Sequence, residues 1–192
     1  MKRLLLINFL FILGLSLVLT SLNAQFSEDF EAGVPGTFTQ VTDAAAISWG
    51  SCSGTLGGQT CPIGGTASAT FYRASYTETL TSLSTPTMDL SAGGFILTFD
   101  HSQLAWGSDQ NTLLVELSVD GGTSWVTIAN YLTSIPAVTS ESYSLDGVAA
   151  LTATSVVRFT GRSVYGYAIV LDNVVVGPAP ACLAPSALTA ST

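Results

Sequence analysis

What most constrains this chain is a rhythm. Short stretches of alternating apolar and polar residues recur, with Gly or Pro in the gaps between them. FILTFDHS (Phe95 to Ser102), TLLVELSV (Thr112 to Val119) and SVVRFTGRS (Ser155 to Ser163) each alternate with period two. That is the period of a strand with one buried face. TASATFYRAS and TLTSLSTPTMDL read the same way. Thr, Val, Ser and Tyr suit a half-buried pleated surface and are abundant here. After Ala24 no stretch carries convincing amphipathic helical spacing. Many strands with short turns predict an antiparallel sandwich rather than alternating strands and helices. The run AIVLDNVVV (Ala168 to Val176) is nearly continuous in its apolar content, as expected of a strand in the middle of a sheet.

The amino terminus follows a different logic. Met1, Lys2 and Arg3 precede an apolar run from Leu4 to Leu19, and the polar stretch Thr20 to Asn23 leads to Ala24. This is the order of a secretory signal, so residues 1–24 are expected to be a helical signal peptide, removed to leave Gln25 first. No other segment is apolar and long enough to span a bilayer. The expected location is therefore outside the cell, secreted or at the surface, with no membrane insertion after cleavage. Cleavage also removes Lys2 and Arg3. Arg73, Arg158 and Arg162 then face all 13 acidic residues. Nucleic-acid binding needs basic groups to neutralise phosphates, so that class is excluded. Cys52 and Cys61 flank the flexible run SGTLGGQT. A local disulfide is expected there in an oxidising compartment. By loop entropy it would contribute about 2–3 kcal/mol. Cys182 is left over.

Two acidic clusters lie at opposite ends of the exported region. Glu28, Asp29 and Glu31 sit in FSEDFEAG, and Asp172 with Asn173 in GYAIVLDNVVVG. A sandwich whose first and last strands are neighbours would bring them together. Calcium takes about 6–8 oxygen ligands from carboxylates, carbonyls and water. Glu31, Asp172 and Asn173 offer such donors from separate strands, and Asp43, in an early polar loop, is expected to complete the set.

Trp106 and Tyr165 lie beside Gly in loop-like contexts and are the candidate stacking platforms for a sugar. Trp49 and Trp125 are expected in the core. SVDGGTSW (Ser118 to Trp125) matches the Asp-box of sialidase-like propellers, but it occurs once. Asp-Gly-Gly between two apolar runs reads as a hairpin turn. His101, the only histidine, follows Asp100. Neighbouring strand residues point to opposite faces, so this pair is not expected to share a pocket, and no catalytic residue is assigned.

Several pieces together resemble a jelly-roll family. It includes MAM domains, gingipain-type cleaved adhesin domains and the "choice-of-anchor" modules of bacterial secreted proteins. The pieces are SEDFEAGVPG, Trp49, LSTP at Leu83 to Pro86, FILTFDH, LLVELSVDGGTSW and AIVLDNVVV, in the family's order from Phe26 to Val176. The first and last also resemble those of carbohydrate-binding sandwiches with a structural calcium. That resemblance implies Glu31 and Asp172 as ion ligands. The tail from Ala181 to Ala190 resembles the opening strand of a fibronectin type III module. The expected organisation is a signal peptide (1–24), an all-β, two-sheet antiparallel jelly-roll sandwich (25–176), and a linker leading to that module (177–192). The resemblance implies a non-catalytic adhesion or binding module of a larger extracellular protein, whose partner is a glycan or a protein. The alternatives are a carbohydrate-binding module targeting an appended hydrolase, or a glycosidase or peptidase in its own right.

Overall fold

The structure is a computed structural model that describes residues 24–43 and 45–180. The expected signal peptide up to Asn23, Cys182 and the fibronectin-like segment lie outside the described residues. Among the described residues every regular element is a strand. In chain order they are β1 (Phe26–Glu28), β2 (Thr39–Thr42), β3 (Gly50–Cys52), β4 (Gly54–Leu56), β5 (Gln59–Cys61), β6 (Ser68–Phe71) and β7 (Thr79–Ser84). Then follow β8 (Phe95–Gln103), β9 (Thr112–Ser118), β10 (Val126–Tyr131), β11 (Ile135–Ser144), β12 (Val156–Ser163) and β13 (Ile169–Pro178). One sheet has the order β11-β8-β13-β6-β3, with β1 also paired to β13. The other has the order β10-β9-β12-β7-β2, and β4 with β5 forms a separate hairpin. This is the expected all-β sandwich.

The alternation seen in the sequence sorts side chains between core and surface. Leu97 and Phe99 of β8, Leu113, Val115 and Leu117 of β9, and Val157 and Phe159 of β12 meet between the sheets. Their neighbours Thr98, Asp100, Arg158 and Thr160 face out. The run AIVLDNVVV becomes β13, which pairs with β8 on one side and with β6 and β1 on the other. Trp49 is in the core at 2% exposure. Its ring nitrogen donates to the Thr81 carbonyl at 3.0 Å.

Cys52 and Cys61 form the expected disulfide, joining β3 to β5. The hairpin so tethered lies over the six-stranded sheet. There Gln59 Nε2 donates to Ser102 Oγ at 3.0 Å, and the Ala168 amide donates to the Gly57 carbonyl at 3.3 Å. SVDGGTSW forms the turn between β9 and β10. Asp120 gathers the Thr123 and Ser124 amides and the Ser118 and Ser124 hydroxyls. The expectation for Trp125 is corrected. It is half-buried on the outer face of its sheet, 3.8 Å from the Arg158 guanidinium. The turn places it past the last core-facing position of β9.

Candidate functional site

β13 changes partners at Asp172. One edge pairs with β6 up to Leu171 and with β1 from Val174 onward. On the other edge the register with β8 slips between Asp172 and Val175, and Asn173 takes φ 49°. Asn tolerates this left-handed conformation better than most residues. The slip lets Leu171 and Val174 both stay in the core. Asp172 lies opposite Asp100 of β8 on the sheet's outer face, and its carboxylate accepts from the Ser68 hydroxyl at 2.6 Å.

Glu31 arrives from the other chain end. β1 runs antiparallel to β13, and the chain then turns at Phe30, which is fully buried with φ 55°. Glu31 then reaches the turn between β5 and β6. It accepts the Thr66 amide at 2.9 Å and the Thr66 hydroxyl. Gly64 and Gly65 of that turn leave room for these groups. A Cβ at Gly64 would stand 3.1 Å from both Asp172 Oδ2 and Asn173 Nδ2, and one at Gly65 would overlap Glu31 Oε1. The structure therefore brings Glu31, Asp172 and Asn173 to one turn.

Asp43 is not in this cluster, which corrects its assignment. Its carboxylate accepts the Thr79 hydroxyl and the Leu80 amide, both at 2.8 Å, beside β7 of the other sheet. Asp100 is the acid that sequence reasoning missed. It accepts Asn173 Nδ2 at 2.8 Å and the Ser140 hydroxyl. Its outward direction follows from the alternation of FILTFDHS, but its placement opposite Asp172 follows only from the strand order.

The electrostatics are unbalanced. Asp172 is 1% exposed, and no basic side chain among the described residues pairs with it. Burial pushes its carboxyl above the usual range. The Ser68 hydroxyl and the Asn173 amide act against that rise, while the charges of Glu31 and Asp100 add to it. The Thr66 hydroxyl and amide hold Glu31 below its usual range. Like charges directly opposite on paired strands destabilise a sheet, and a buried charge needs a partner or a proton. A hard cation among these oxygens would answer both. Among the described residues no three His, Cys, Asp or Glu side chains are grouped to hold a metal. What gathers at this turn are the Glu31 and Asp172 carboxylates with the Thr66 and Ser68 hydroxyls on them, while Asn173 turns its amide nitrogen to Asp100; carboxylate and hydroxyl oxygens are donors that calcium takes.

A second feature lies at another place on the surface. Trp106 is 50% exposed and meets Tyr167 edge-on, with ring centroids 5.3 Å apart. Tyr165 stacks on Tyr76 at 4.1 Å. Trp106, Tyr165, Tyr167 and Tyr72 line a cavity of about 190 Å³, whose remaining wall is Gly57, Gly58 and Gly166. A Cβ at Gly57 would strike Tyr72, and one at Gly58 would strike Tyr167. The disulfide-bonded hairpin thus presses its glycine tip flat against the aromatics. Trp106 and Tyr165, the two candidate platforms, line this one cavity. Tyr72, Tyr76 and the hairpin tip were missed, because they join only through the tertiary fold.

His101 is fully buried and points into the sandwich, while Asp100 faces out. Its Nε2 lies 3.4 Å from Glu141, and its ring is packed 4.2 Å from that of Tyr131.

The fold is that of adhesin and carbohydrate-binding sandwiches. The K3 cleaved adhesin domain of Lys-gingipain from Porphyromonas gingivalis W83 matches with TM-score 0.61 and 18% identity, covering 80% of this chain and 98% of that one. TmCBM61, solved in complex with β-1,4-galactotriose, matches with TM-score 0.57 and 13% identity over 79% and 94% of the two chains. The xylan-binding domain of family 22 matches with TM-score 0.51 and 14% identity over 83% and 97%. No family model and no curated protein matches the sequence.

Proposed function

We propose that this chain is a non-catalytic extracellular binding module. In it, calcium at Glu31 and Asp172 clamps the first and last strands of the sandwich. Asp100, which Asn173 holds through its amide nitrogen, would share that ion. Its chemistry would be to neutralise carboxylates that otherwise repel one another, one of them buried. An ion that binds only the folded state, at a hundredfold excess over its dissociation constant, adds about 2.7 kcal/mol.

The observation that carries the binding reading is the exposed aromatic end. Large aromatic faces held open to solvent by a rigid support serve recognition better than folding. A ring face also matches the apolar face of a pyranose, which favours a glycan as the partner. Adhesin domains and a xylan-binding domain of the same fold support the reading. The test is a glycan array probed with the purified chain in calcium buffer. Saturable binding to one glycan class is expected, and Trp106→Ala should abolish it while leaving the melting temperature unchanged. Full binding by Trp106→Ala would remove the aromatic end from the account.

A further inference from the structure

Tyr165 holds a backbone conformation that its side chain disfavours. Its φ is 74°, in the left-handed region that bulky residues rarely enter. Strain of this kind persists only where the surroundings over-determine it, and it gathers at ligand clamps. Here it is held by Asn111, which is fully buried. The Asn111 Oδ1 accepts the Val164 amide at 2.8 Å and the Gly166 amide at 3.0 Å. Its Nδ2 donates to the Gly166 carbonyl at 3.1 Å and to the Tyr167 carbonyl at 2.7 Å. Those bonds use the whole capacity of an asparagine side chain. Gly166 packs so closely that a Cβ there would stand 2.5 Å from the Asn111 backbone nitrogen. One buried amide thus fixes the segment that brings Tyr165 and Tyr167 to the cavity.

The cavity so built is chemically one-sided. Aromatic rings and glycines make up its whole wall. No carboxylate, carboxamide or guanidinium lines it, so the hydroxyls of a bare sugar would meet only tyrosine hydroxyls and the indole N–H among its side chains. At about 190 Å³ it is smaller than most small-molecule pockets, which run roughly 300–1,000 Å³. A compact group suits it. The rings offer the negative face of a π-system, which attracts a cation. A quaternary ammonium has no N–H group that needs an acceptor, so a wall of rings satisfies it. No basic side chain competes. Among the described residues Arg158 and Arg162 pair with Glu116 and Glu78. Arg73 follows Tyr72 in the chain but is not on the wall, and it lies close enough to Asp43 to act on that carboxylate. The turn that carries Trp106 carries an acid: the Trp106 and Asp109 amides each donate to the other's carbonyl at 2.9 Å. The formal net charge of −8 draws cations toward the chain as a whole.

We propose that the aromatic end is a cage for a quaternary ammonium group, carried as a choline substituent by the glycan it binds. This rests on the reading of the aromatic end as a binding surface and names what that surface takes. The test is isothermal titration of the purified chain with choline and with dimethylbutanol, its uncharged isostere. A glycan array holding choline-substituted glycans and their bare parents runs beside it. Choline should bind about tenfold or more tightly than the isostere, because the two differ in charge and not in shape. The substituted glycans should bind more tightly than their parents. Trp106→Leu keeps apolar surface but loses the ring face, and it should abolish choline binding at an unchanged melting temperature. Tyr165→Leu serves the same comparison if that variant fails to fold. Equal binding of choline and isostere, no binding of choline, or choline binding that survives in a folded variant would overturn the cage. Bare glycans bound through Trp106 with no preference for the substituent would overturn it while leaving the binding module standing. A blank array with choline also unbound would remove both readings.

Discussion

Asp120 and Asp172 are acids of one chain held in opposite situations. The Ser124 hydroxyl and amide, with help from Ser118 and Thr123, hold the Asp120 carboxyl down to about 2. Burial pushes Asp172 up instead. The sign for Asp120 follows from linkage. Its folded pKa lies below the ordinary carboxylate value, so its bonds contribute stability above that value and lose it as pH falls toward about 2. Asp120→Asn should therefore flatten the acid limb of melting temperature against pH in that window, relative to wild type. An acid limb parallel to that of wild type would show that the turn carries no such linkage. The turn itself was legible, because Asp-Gly-Gly between apolar runs names a hairpin. The fate of Trp125 was not. Whether an aromatic just past a turn points in or out depends on the register of β10, which the local pattern leaves open.

At the level of elements, β12 shows what alternation can and cannot convey. Its strand character and its inward residues Val157 and Phe159 were readable from SVVRFTGRS. The reason for Gly161 was not, because it lies across the sandwich. A Cβ there would stand 2.5 Å from Phe71 Cδ1 and 3.1 Å from the Trp49 ring. Those rings pack with centroids 5.5 Å apart, and both belong to the core. Inserting a methyl into a filled core costs about 1–3 kcal/mol. Gly161→Ala should lower the stability measured by urea denaturation by that amount, with the m-value unchanged. A neutral substitution would mean that the two rings can shift apart freely. The hairpin of β4 and β5 makes the same point. Its cysteines announced the loop, but nothing local announced that Gly57 and Gly58 would lie against Tyr72 and Tyr167.

On the scale of the whole molecule, the clamp between the chain ends organises the account. The sequence placed acids near both termini of the sandwich, and a neighbouring first and last strand was the natural expectation. β1 and β13 meet that expectation. Asp43 failed to join because nearness in sequence does not say which sheet a loop borders. It caps the start of β7 instead. Asp100 entered because β8 is the strand beside β13, a fact of topology rather than of local pattern. Glu31, Asp100 and Asp172 come from distant stretches and have no basic partner among the described residues, and the calcium proposed above would offset their charge.

The measurement that reaches this claim most directly is thermal unfolding in calcium and in chelator, for the wild type, Glu31→Gln and Asp172→Asn. Calcium should raise the melting temperature of the wild type, and each variant should lose most of that gain while differing little from wild type in chelator. A wild-type melting temperature indifferent to calcium, or variants displaced equally in both buffers, would contradict the clamp.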